Sequence, residues 1–511
     1  MNHTISGICY LVGAGPGDPG LITLKAKECI EKAEVLVYDA LSNPLFLSWA
    51  PANCEKIYAG KRAKNHAIPQ GGINQLLVDR AKEGKVVVRL KGGDPMIFGR
   101  GGEEAAELAE EGIAYEIVPG ISSAIAGPAY AGIPVTHRDH NTSLTIFTGH
   151  EDPTKGYSSI DYQSLASAPG TKVFLMGVQR LRPITESLIE AGAEKETPIA
   201  LTRWATTGRQ STIVGSLATI ADIAEEKNFK SPAVAVIGNV VKERAKINWF
   251  ETRPLMGKRI VVTRTREQAG VLSRSLGDLG ADVVELPTIR IDHPVDKKAF
   301  ATSIGNCHSY DWIVFTSPNG VHRFFEAFFK AYEDVRSIGG ARIAVIGPGT
   351  ADAVKQYHLA VDLVPKKFVA EGLVAAFTEQ EQRLGTIENL TVLRVKAEET
   401  RDVVTEGLTA LGAIVDECVA YRTVAETEDP TGAAESLKEE GADWITFTSS
   451  STVEHFLAME LPWPEGCRAA SIGPITSETL RKNGIEPALE AETHTIPGLV
   501  ADLSDAASSL A

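Results

Sequence analysis

Residues 8–39 read ICYLVGAGPGDPGLITLKAKECIEKAEVLVYD. The apolar run at 8–12 predicts a strand, and the mixed stretch at 21–32 predicts a helix. A second apolar run at 35–38 predicts another strand, and it ends at Asp39. The stretch therefore predicts a strand–helix–strand unit of a parallel sheet, with a carboxylate at a strand end.

The loop between the first strand and the helix imitates a dinucleotide-binding fingerprint. Gly15, Gly17 and Gly20 have the G-x-G-x-x-G spacing that brings a backbone close to a pyrophosphate. Pro16 and Pro19 contradict that interpretation, because each lacks the N–H that a phosphate-binding loop would use. The spacing predicts close approach to a ligand, and the prolines indicate that the ligand is not a phosphate.

Composition limits the class of protein. A chain of 511 residues predicts about three or four domains. Its formal net charge of −15 argues against nucleic-acid binding, and the sequence has no apolar run of about 20 residues that would cross a membrane. The six cysteines are scattered without a C-x-x-C pair, and we recognise no signal peptide. These features predict reduced thiols, a cytoplasmic location and no bound metal.

The second half of the chain contains an internal duplication. The matched segments are 312–321 with 444–453 and 279–285 with 411–417, both 132 residues apart, and 346–350 with 472–476, 126 residues apart. Several matches at one offset indicate two related α/β lobes. Two such lobes would enclose a cleft, a common place for a ligand. Proline and glycine punctuate a boundary near 247–257, where the first half ends.

The first half alternates predicted strands with glycine-rich loops. Further strands are predicted at 85–90, 115–118, 143–148, 172–176 and 234–241. We expect four strand-end loops, at 13–20, 92–97, 119–123 and 176–177, to converge on one ligand, because open α/β sheets bind ligands at the carboxyl ends of their strands. Their nearly uncharged composition predicts a rigid pocket for a flat molecule.

Six motifs in the first half resemble those of uroporphyrinogen-III C-methyltransferases. They are VGAGPGDPG at 12–20, VYD at 37–39, AGKR at 59–62, RLKGGDPMIFGRGGEE at 89–104, VPGISS at 118–123 and GIPVTHRD at 132–139. The resemblance covers about residues 5–250. It implies a non-Rossmann tetrapyrrole methylase fold of two α/β subdomains, at about 1–138 and 139–250, and usually a homodimer formed through this domain.

The resemblance implies S-adenosylmethionine as the methyl donor and uroporphyrinogen III as the acceptor, which is methylated twice to precorrin-2. The implied cofactor-binding residues are Pro16, Gly92, Gly93, Asp94, Ile97, Ser122, Ser123, Met176, Ala205 and Ala233. Asp39 matches the proposed proton acceptor. Lys61 matches a proposed donor, although it equally fits a cation that only pairs with substrate carboxylates. Arg62, Lys64, Arg89, Lys91 and the His137–Arg138 pair are further candidates for that pairing.

The second half, about residues 257–511, resembles uroporphyrinogen-III synthases. The resemblance implies a bilobal α/β fold with parallel sheets, with lobes at about 257–288 plus 424–511 and at 289–423. Segments 286–291 and 418–424 would cross between the lobes. The implied reaction cyclises hydroxymethylbilane with inversion of ring D and uses no cofactor. Tyr421 matches a candidate proton donor, with positioning as the alternative role.

Duplicated loops supply the expected substrate-binding side chains of the second half. These are Ser317, Asn319, Thr350, Ser449 and Thr476. Each alternatively caps a helix. Taken together, the two resemblances imply a bifunctional enzyme that feeds sirohaem or corrinoid synthesis. The alternative is a methylase of another tetrapyrrole whose C-terminal half is a regulatory ligand-binding module.

Overall fold

The computed structural model describes residues 7–60, 68–150, 160–400, 402–429 and 431–508. They form four five-stranded sheets. Residues 1–286 and 428–511 form one compact unit, and residues 287–427 form a second. No helix in these described ranges is both long enough and apolar enough to span a bilayer.

The first sheet is entirely parallel, with the order β3-β2-β4-β1-β5. Its elements are β1 (Ile8–Gly13), α1 (Leu24–Glu31), β2 (Val35–Tyr38), β3 (Glu55–Tyr58), α2 (Gln70–Lys82), β4 (Val86–Lys91), α3 (Gly101–Glu110), β5 (Ala114–Val118) and α4 (Ser123–Tyr130). Buried apolar clusters cover both faces, which explains the continuous apolar runs of its strands. The helix predicted from 21 begins at Leu24, because the Thr23 side chain caps it.

The second sheet is mixed, with the order β6-β7-β10-β8-β9. Its elements are β6 (Leu144–Thr148), α5 (Tyr162–Ser167), β7 (Thr171–Leu175), α6 (Leu181–Glu190), β8 (Pro198–Arg203), β9 (Ser211–Ser216), α7 (Ile220–Glu226), β10 (Ala233–Ile237) and α8 (Arg244–Ile247). Only β6 and β7 pair in parallel. The strand predicted over 234–241 is wrong at its end, because Gly238 turns the chain (φ 135°) into a 3₁₀ helix over Asn239–Glu243.

The third sheet is parallel and is built from two separate stretches of chain, with the order β12-β11-β18-β19-β20. The first stretch contains β11 (Arg259–Val262), α9 (Arg266–Asp278) and β12 (Asp282–Glu285). The chain then forms the fourth sheet, which lies in the other unit, before it returns.

The fourth sheet has the order β13-β17-β16-β14-β15, and only β13 pairs antiparallel. Its elements are β13 (Ile289–Asp292), α10 (Lys297–Gly305), β14 (Trp312–Phe315), α11 (Pro318–Ala331), β15 (Arg342–Val345), α12 (Pro348–Lys355), α13 (Ala370–Glu379), α14 (Glu381–Leu384), β16 (Thr391–Ala397), α15 (Val403–Ala410) and β17 (Ile414–Ala425). The two predicted crossing segments pair with each other here, since β13 lies against the last four residues of β17.

The returning stretch completes the third sheet. It contains α16 (Ala433–Glu440), β18 (Trp444–Phe447), α17 (Ser450–Ala458), β19 (Arg468–Ser471), α18 (Pro474–Lys482), β20 (Pro487–Glu490) and α19 (Ile496–Ser508). The repeated sequences at 312 and 444 both form a four-residue buried strand followed by a helix. The duplication predicted from sequence is therefore a duplication of structure, and the architecture is α/β with parallel-rich sheets.

Candidate functional site

Three of the four predicted loops meet at the carboxyl edge of the first sheet. They follow β1, β4 and β5, which are neighbours in the sheet. Gly15 and Gly93 exchange backbone hydrogen bonds, with N···O distances of 3.1 and 2.7 Å. The Asp94 carboxylate accepts from the Gly120 N–H at 2.9 Å and from the Met96 N–H at 2.7 Å. Asp94 therefore ties two of the loops together through its own side chain.

Glycine is required where these loops touch. A Cβ atom on Gly120 would lie 2.3 Å from the Gly93 carbonyl oxygen and 2.8 Å from the Gly13 Cα. A Cβ atom on Gly92 would lie 2.6 Å from the Cβ of Leu41. Because no side chain fits at these points, backbone packs directly on backbone and the loops form a close-fitting wall.

The first loop uses its N–H groups within the protein. The Gly15 N–H bonds to Gly93, the Asp18 N–H donates to Thr206 Oγ1 at 3.0 Å, and the Gly20 N–H donates to Asp18 Oδ1 at 2.8 Å. Pro16 and Pro19 have no N–H to offer. These five positions of the dinucleotide fingerprint therefore offer no free N–H to a pyrophosphate.

Four further predicted cofactor-binding residues lie on or beside these loops: Ser122, Ser123, Ala205 and Ile97. Ser122 caps α4 and Ser123 is its first residue. Ala205 lies in the loop after β8, and its carbonyl oxygen would be 3.3 Å from a Cβ on Gly17. Ile97 is 41% exposed.

Met176 and Ala233 belong to the second sheet. Met176 follows β7 with a positive φ and is half exposed, and Ala233 begins β10. Their place in the pocket stays a prediction. Lys61, Arg62 and Lys64, which are predicted to contact substrate carboxylates, lie outside the described residues.

Asp39 lies at the end of β2, as predicted, and keeps a partly exposed carboxylate. Its side chain is 25% exposed, and Oδ2 is 3.7 Å from Arg89 Nη2. Oδ1 accepts from the Leu41 N–H at 3.0 Å and from the Ser42 hydroxyl at 3.4 Å. These donors fix the carboxylate while leaving it open to a ligand, which suits a base.

A buried ion cluster lies behind Asp39. Glu104 has no exposed surface and accepts from Lys91 Nζ at 2.7 Å and from Arg89 Nε at 3.4 Å. Burial, and then the Arg89 charge, lower the Lys91 pKa. Arg89 and Lys91 are both 4% exposed and paired with Glu104, and their contact with substrate stays a prediction. Arg89 and Lys91 are two residues apart on β4, so both side chains lie on the face of the sheet that Glu104 covers.

In the second half, Tyr421 lies on β17 beside the loop that follows β14. Its hydroxyl is 2.9 Å from Ser317 Oγ, and the residue is 6% exposed. Burial raises the Tyr421 pKa, while hydrogen bonds from Ser317 and Asn319 oppose that effect. The Tyr421 hydroxyl is thus protonated over the whole neutral range.

The predicted substrate-binding side chains of the two lobes divide into capping and buried residues. Ser317 caps α11 by accepting from the Gly320 N–H at 3.0 Å, and Ser449 caps α17 in a capping box with Thr452. Thr350 and Thr476 are 3% and 4% exposed. The side chains of Thr350 and Thr476 are therefore buried, and their contact with substrate stays a prediction.

One loop that contacts these residues was not predicted from the sequence. The loop over 204–210, WATTGRQ, joins β8 to β9 and contacts the first loop through Thr206. Only Ala205 was predicted from it. A signal was present in the paired threonines and the glycine, but such residues are common in ordinary turns.

Both halves of the chain match known families. Residues 9–221 match the model of tetrapyrrole (corrin/porphyrin) methylases, and residues 270–501 match that of uroporphyrinogen-III synthase HemD. A porphyrin biosynthesis protein HemD from Ruminiclostridium josui is 38% identical over 98% of this chain and 97% of its own length.

Two further proteins match the first half. An S-adenosyl-L-methionine-dependent uroporphyrinogen III methyltransferase from Methanosarcina barkeri is 54% identical over 46% of this chain and 92% of its own length. A crystal structure of uroporphyrin III C-methyl transferase from Thermus thermophilus is 38% identical, covers 46% of this chain and 99% of its own, and has a TM-score of 0.40.

These family matches, one to each α/β half, identify a two-part enzyme of tetrapyrrole biosynthesis. The chain belongs to the family of fused proteins in which a tetrapyrrole methylase precedes a uroporphyrinogen-III synthase.

Proposed function

We propose that the C-terminal half cyclises hydroxymethylbilane to uroporphyrinogen III with inversion of ring D. The N-terminal half then methylates uroporphyrinogen III twice, with S-adenosylmethionine as donor, to give precorrin-2. The observation that carries the proposal is the pairing of the two family matches on one chain. The product of the second family is the substrate of the first, and one relative shares both halves over nearly its full length.

The loops of the first sheet suit S-adenosylmethionine. When bound, it supplies an electrophilic methyl group on a sulfonium. Gly13, Gly93 and Gly120 let the three loops pack on one another as a close-fitting wall, and the N–H groups of Gly15, Asp18 and Gly20 are bonded within the protein, which disfavours phosphate. Met96 and Ile97 add exposed apolar surface beside it. The name of the Methanosarcina barkeri relative supports the same donor.

Asp39 is the proposed base of the methylase. Methylation at a pyrrole carbon leaves a cationic ring that must lose a proton, and a fixed, partly exposed carboxylate can accept it. The Leu41 N–H and the Arg89 guanidinium hold the carboxylate in place. Lys61 is proposed to pair with substrate carboxylates or to donate a proton.

Tyr421 is the proposed donor or positioning residue of the synthase. Loss of the terminal hydroxyl of hydroxymethylbilane requires a proton, and the pyrroles stabilise the resulting cation. The Tyr421 hydroxyl, held by Ser317, can supply that proton or orient the substrate. The N-termini of α11 and α12 offer backbone donors for substrate carboxylates. No cofactor is needed for this step.

The N-terminal domain is also proposed to form a homodimer. Phe98 is 42% exposed, and a large apolar side chain at the surface favours burial in an interface. Light scattering coupled to size exclusion would test the assembly. A monomer at micromolar concentration would reject it.

One experiment tests both halves of the proposed function. The purified chain is given hydroxymethylbilane with and without S-adenosylmethionine, and products are separated by chromatography. We expect uroporphyrinogen III without the donor and precorrin-2 with it. Formation of only uroporphyrinogen I would reject the synthase, and would favour the alternative in which the C-terminal half is a regulatory module.

A further inference from the structure

The loop over 204–210, here called the junction loop, contacts two parts of the chain that carry different activities. On one side it contacts the first loop of the methylase. A Cβ on Gly17 would lie 2.7 Å from Thr207 Cγ2, and the Asp18 N–H donates to Thr206 Oγ1 at 3.0 Å. Ala205, a predicted cofactor-binding residue, lies within the same loop.

On its other side the junction loop contacts the synthase half within the same compact unit. Arg209 pairs with Asp282 at 3.3 Å and with Glu440 at 2.9 Å. The Gly257 N–H donates to the Gly208 carbonyl at 3.0 Å. A Cβ on Gly208 would lie 2.1 Å from the Asp282 backbone nitrogen, so the two backbones are in direct contact.

The junction loop has a backbone that needs external support. Trp204 and Thr206, on either side of Ala205, have φ values of 46° and 69°, which non-glycine residues rarely adopt. The Arg209 guanidinium also lies 4.8 Å from the Trp204 ring centroid. Arg209 therefore links the strained part of the loop to two carboxylates of the synthase half.

We propose that Arg209 and its synthase partners Asp282 and Glu440 position the junction loop for S-adenosylmethionine binding in the methylase. Arg209 is a positioning residue in this assignment, because it acts through Ala205 and Thr206. The inference rests on the proposed function, since it takes the wall beside Gly17 as the S-adenosylmethionine pocket. It makes cofactor affinity depend on Asp282 and Glu440, which lie about 140 and about 300 positions beyond the last methylase motif, at 132–139.

The test compares Arg209→Ala, Arg209→Lys and Glu440→Gln in the full chain, with uroporphyrinogen III supplied. Arg209→Ala should raise the KM for S-adenosylmethionine about three- to tenfold, with kcat unchanged, because two ion pairs and a ring contact are lost. Arg209→Lys should recover part of the loss. Glu440→Gln should raise the same KM about two- to threefold, although the residue belongs to the synthase half.

Arg182→Ala is the matched control. Arg182 also bridges two carboxylates, Asp222 at 2.7 Å and Glu225 at 2.9 Å, and it has similar exposure to Arg209. The KM of the Arg182→Ala variant for S-adenosylmethionine should equal that of the wild type. A double variant with Arg209→Ala and Glu440→Gln should show less than additive change, because both substitutions remove the Arg209–Glu440 ion pair, although Glu440→Gln also removes the pair of Glu440 with Arg259.

The outcomes separate this inference from the proposed function. A wild-type chain that neither binds S-adenosylmethionine nor transfers its methyl group would reject the proposed function. The inference would be overturned if the wild-type chain does both and the KM for S-adenosylmethionine of Arg209→Ala and of Glu440→Gln is the same as that of the Arg182→Ala control. Equal loss of kcat in all variants would indicate a general folding defect and would also overturn it.

Discussion

At the scale of single residues, Asp39 is the sharpest test of the methylase. Asp39→Asn keeps the shape of the turn and the bond from the Leu41 N–H but removes the base. We expect methyl transfer to fall about 10²- to 10⁴-fold, while the Kd for S-adenosylmethionine stays unchanged. Titration calorimetry and single-turnover assays measure the two quantities. Asp79→Asn, on an exposed helix face, is the control, and full turnover in Asp39→Asn would remove the assignment.

Tyr421 gives the matching test for the synthase. Tyr421→Phe should lower kcat at least about 100-fold if the phenol donates the proton, and only several-fold if it positions substrate. Because burial raises the Tyr421 pKa, the hydroxyl stays protonated at neutral and mildly alkaline pH, and wild-type activity should not fall there through loss of this proton. Tyr357→Phe, in the same lobe, is the control. Unchanged turnover in Tyr421→Phe would exclude both roles.

At the scale of elements, a side chain added where the loops after β1, β4 and β5 touch should destabilise the protein. Gly120→Ala places a Cβ 2.3 Å from the Gly93 carbonyl oxygen. We expect a loss of about 1–3 kcal/mol in unfolding free energy and weaker S-adenosylmethionine binding. Gly102→Ala in α3 is the control, because its Cβ would meet only Met96 Cε, at 3.9 Å. Thermal unfolding should separate the two variants, and equal midpoints would contradict the described packing.

The elements also show how far sequence patterns reach. The run at 35–38 predicted β2 with its observed bounds, and the repeated Trp-Ile-x-Phe segments predicted β14 and β18. β10 was extended wrongly because Val240 and Val241 are buried and β-branched, although they lie in a 3₁₀ helix after Gly238. A run of apolar residues predicts that the segment is buried, but it does not predict whether the segment is a strand or a helix.

Part of the site could not be predicted for a similar reason. The position of Asp39 at a strand end was predicted from the sequence pattern, its role as a base came from the resemblance to the methyltransferases, and the loop contacts followed from parallel topology. The pairing of Arg89 and Lys91 with Glu104 was missed because partners 13 and 15 residues away depend on tertiary packing. The junction loop was missed because its partners lie in the other half of the chain.

At the scale of the whole molecule, the two activities should be separable. A chain with Asp39→Asn should still form uroporphyrinogen III, and one with Tyr421→Phe should still methylate it when it is supplied. Mixing the two variants should restore precorrin-2 formation from hydroxymethylbilane, because the intermediate is a small molecule that can diffuse between chains. Each variant alone is the control. Absence of complementation would show that the intermediate passes only within one chain.

The split third sheet has a consequence for synthesis on the ribosome. Strand β11 ends at Val262, but its neighbour β18 begins only at Trp444. At roughly 5–20 residues per second, β11 waits about 10 to 40 seconds for that neighbour. The segment 287–427 emerges meanwhile and has its own complete sheet, so it is able to fold first. Nascent chains stalled before residue 444 should therefore protect 287–427 from protease before they protect 259–285.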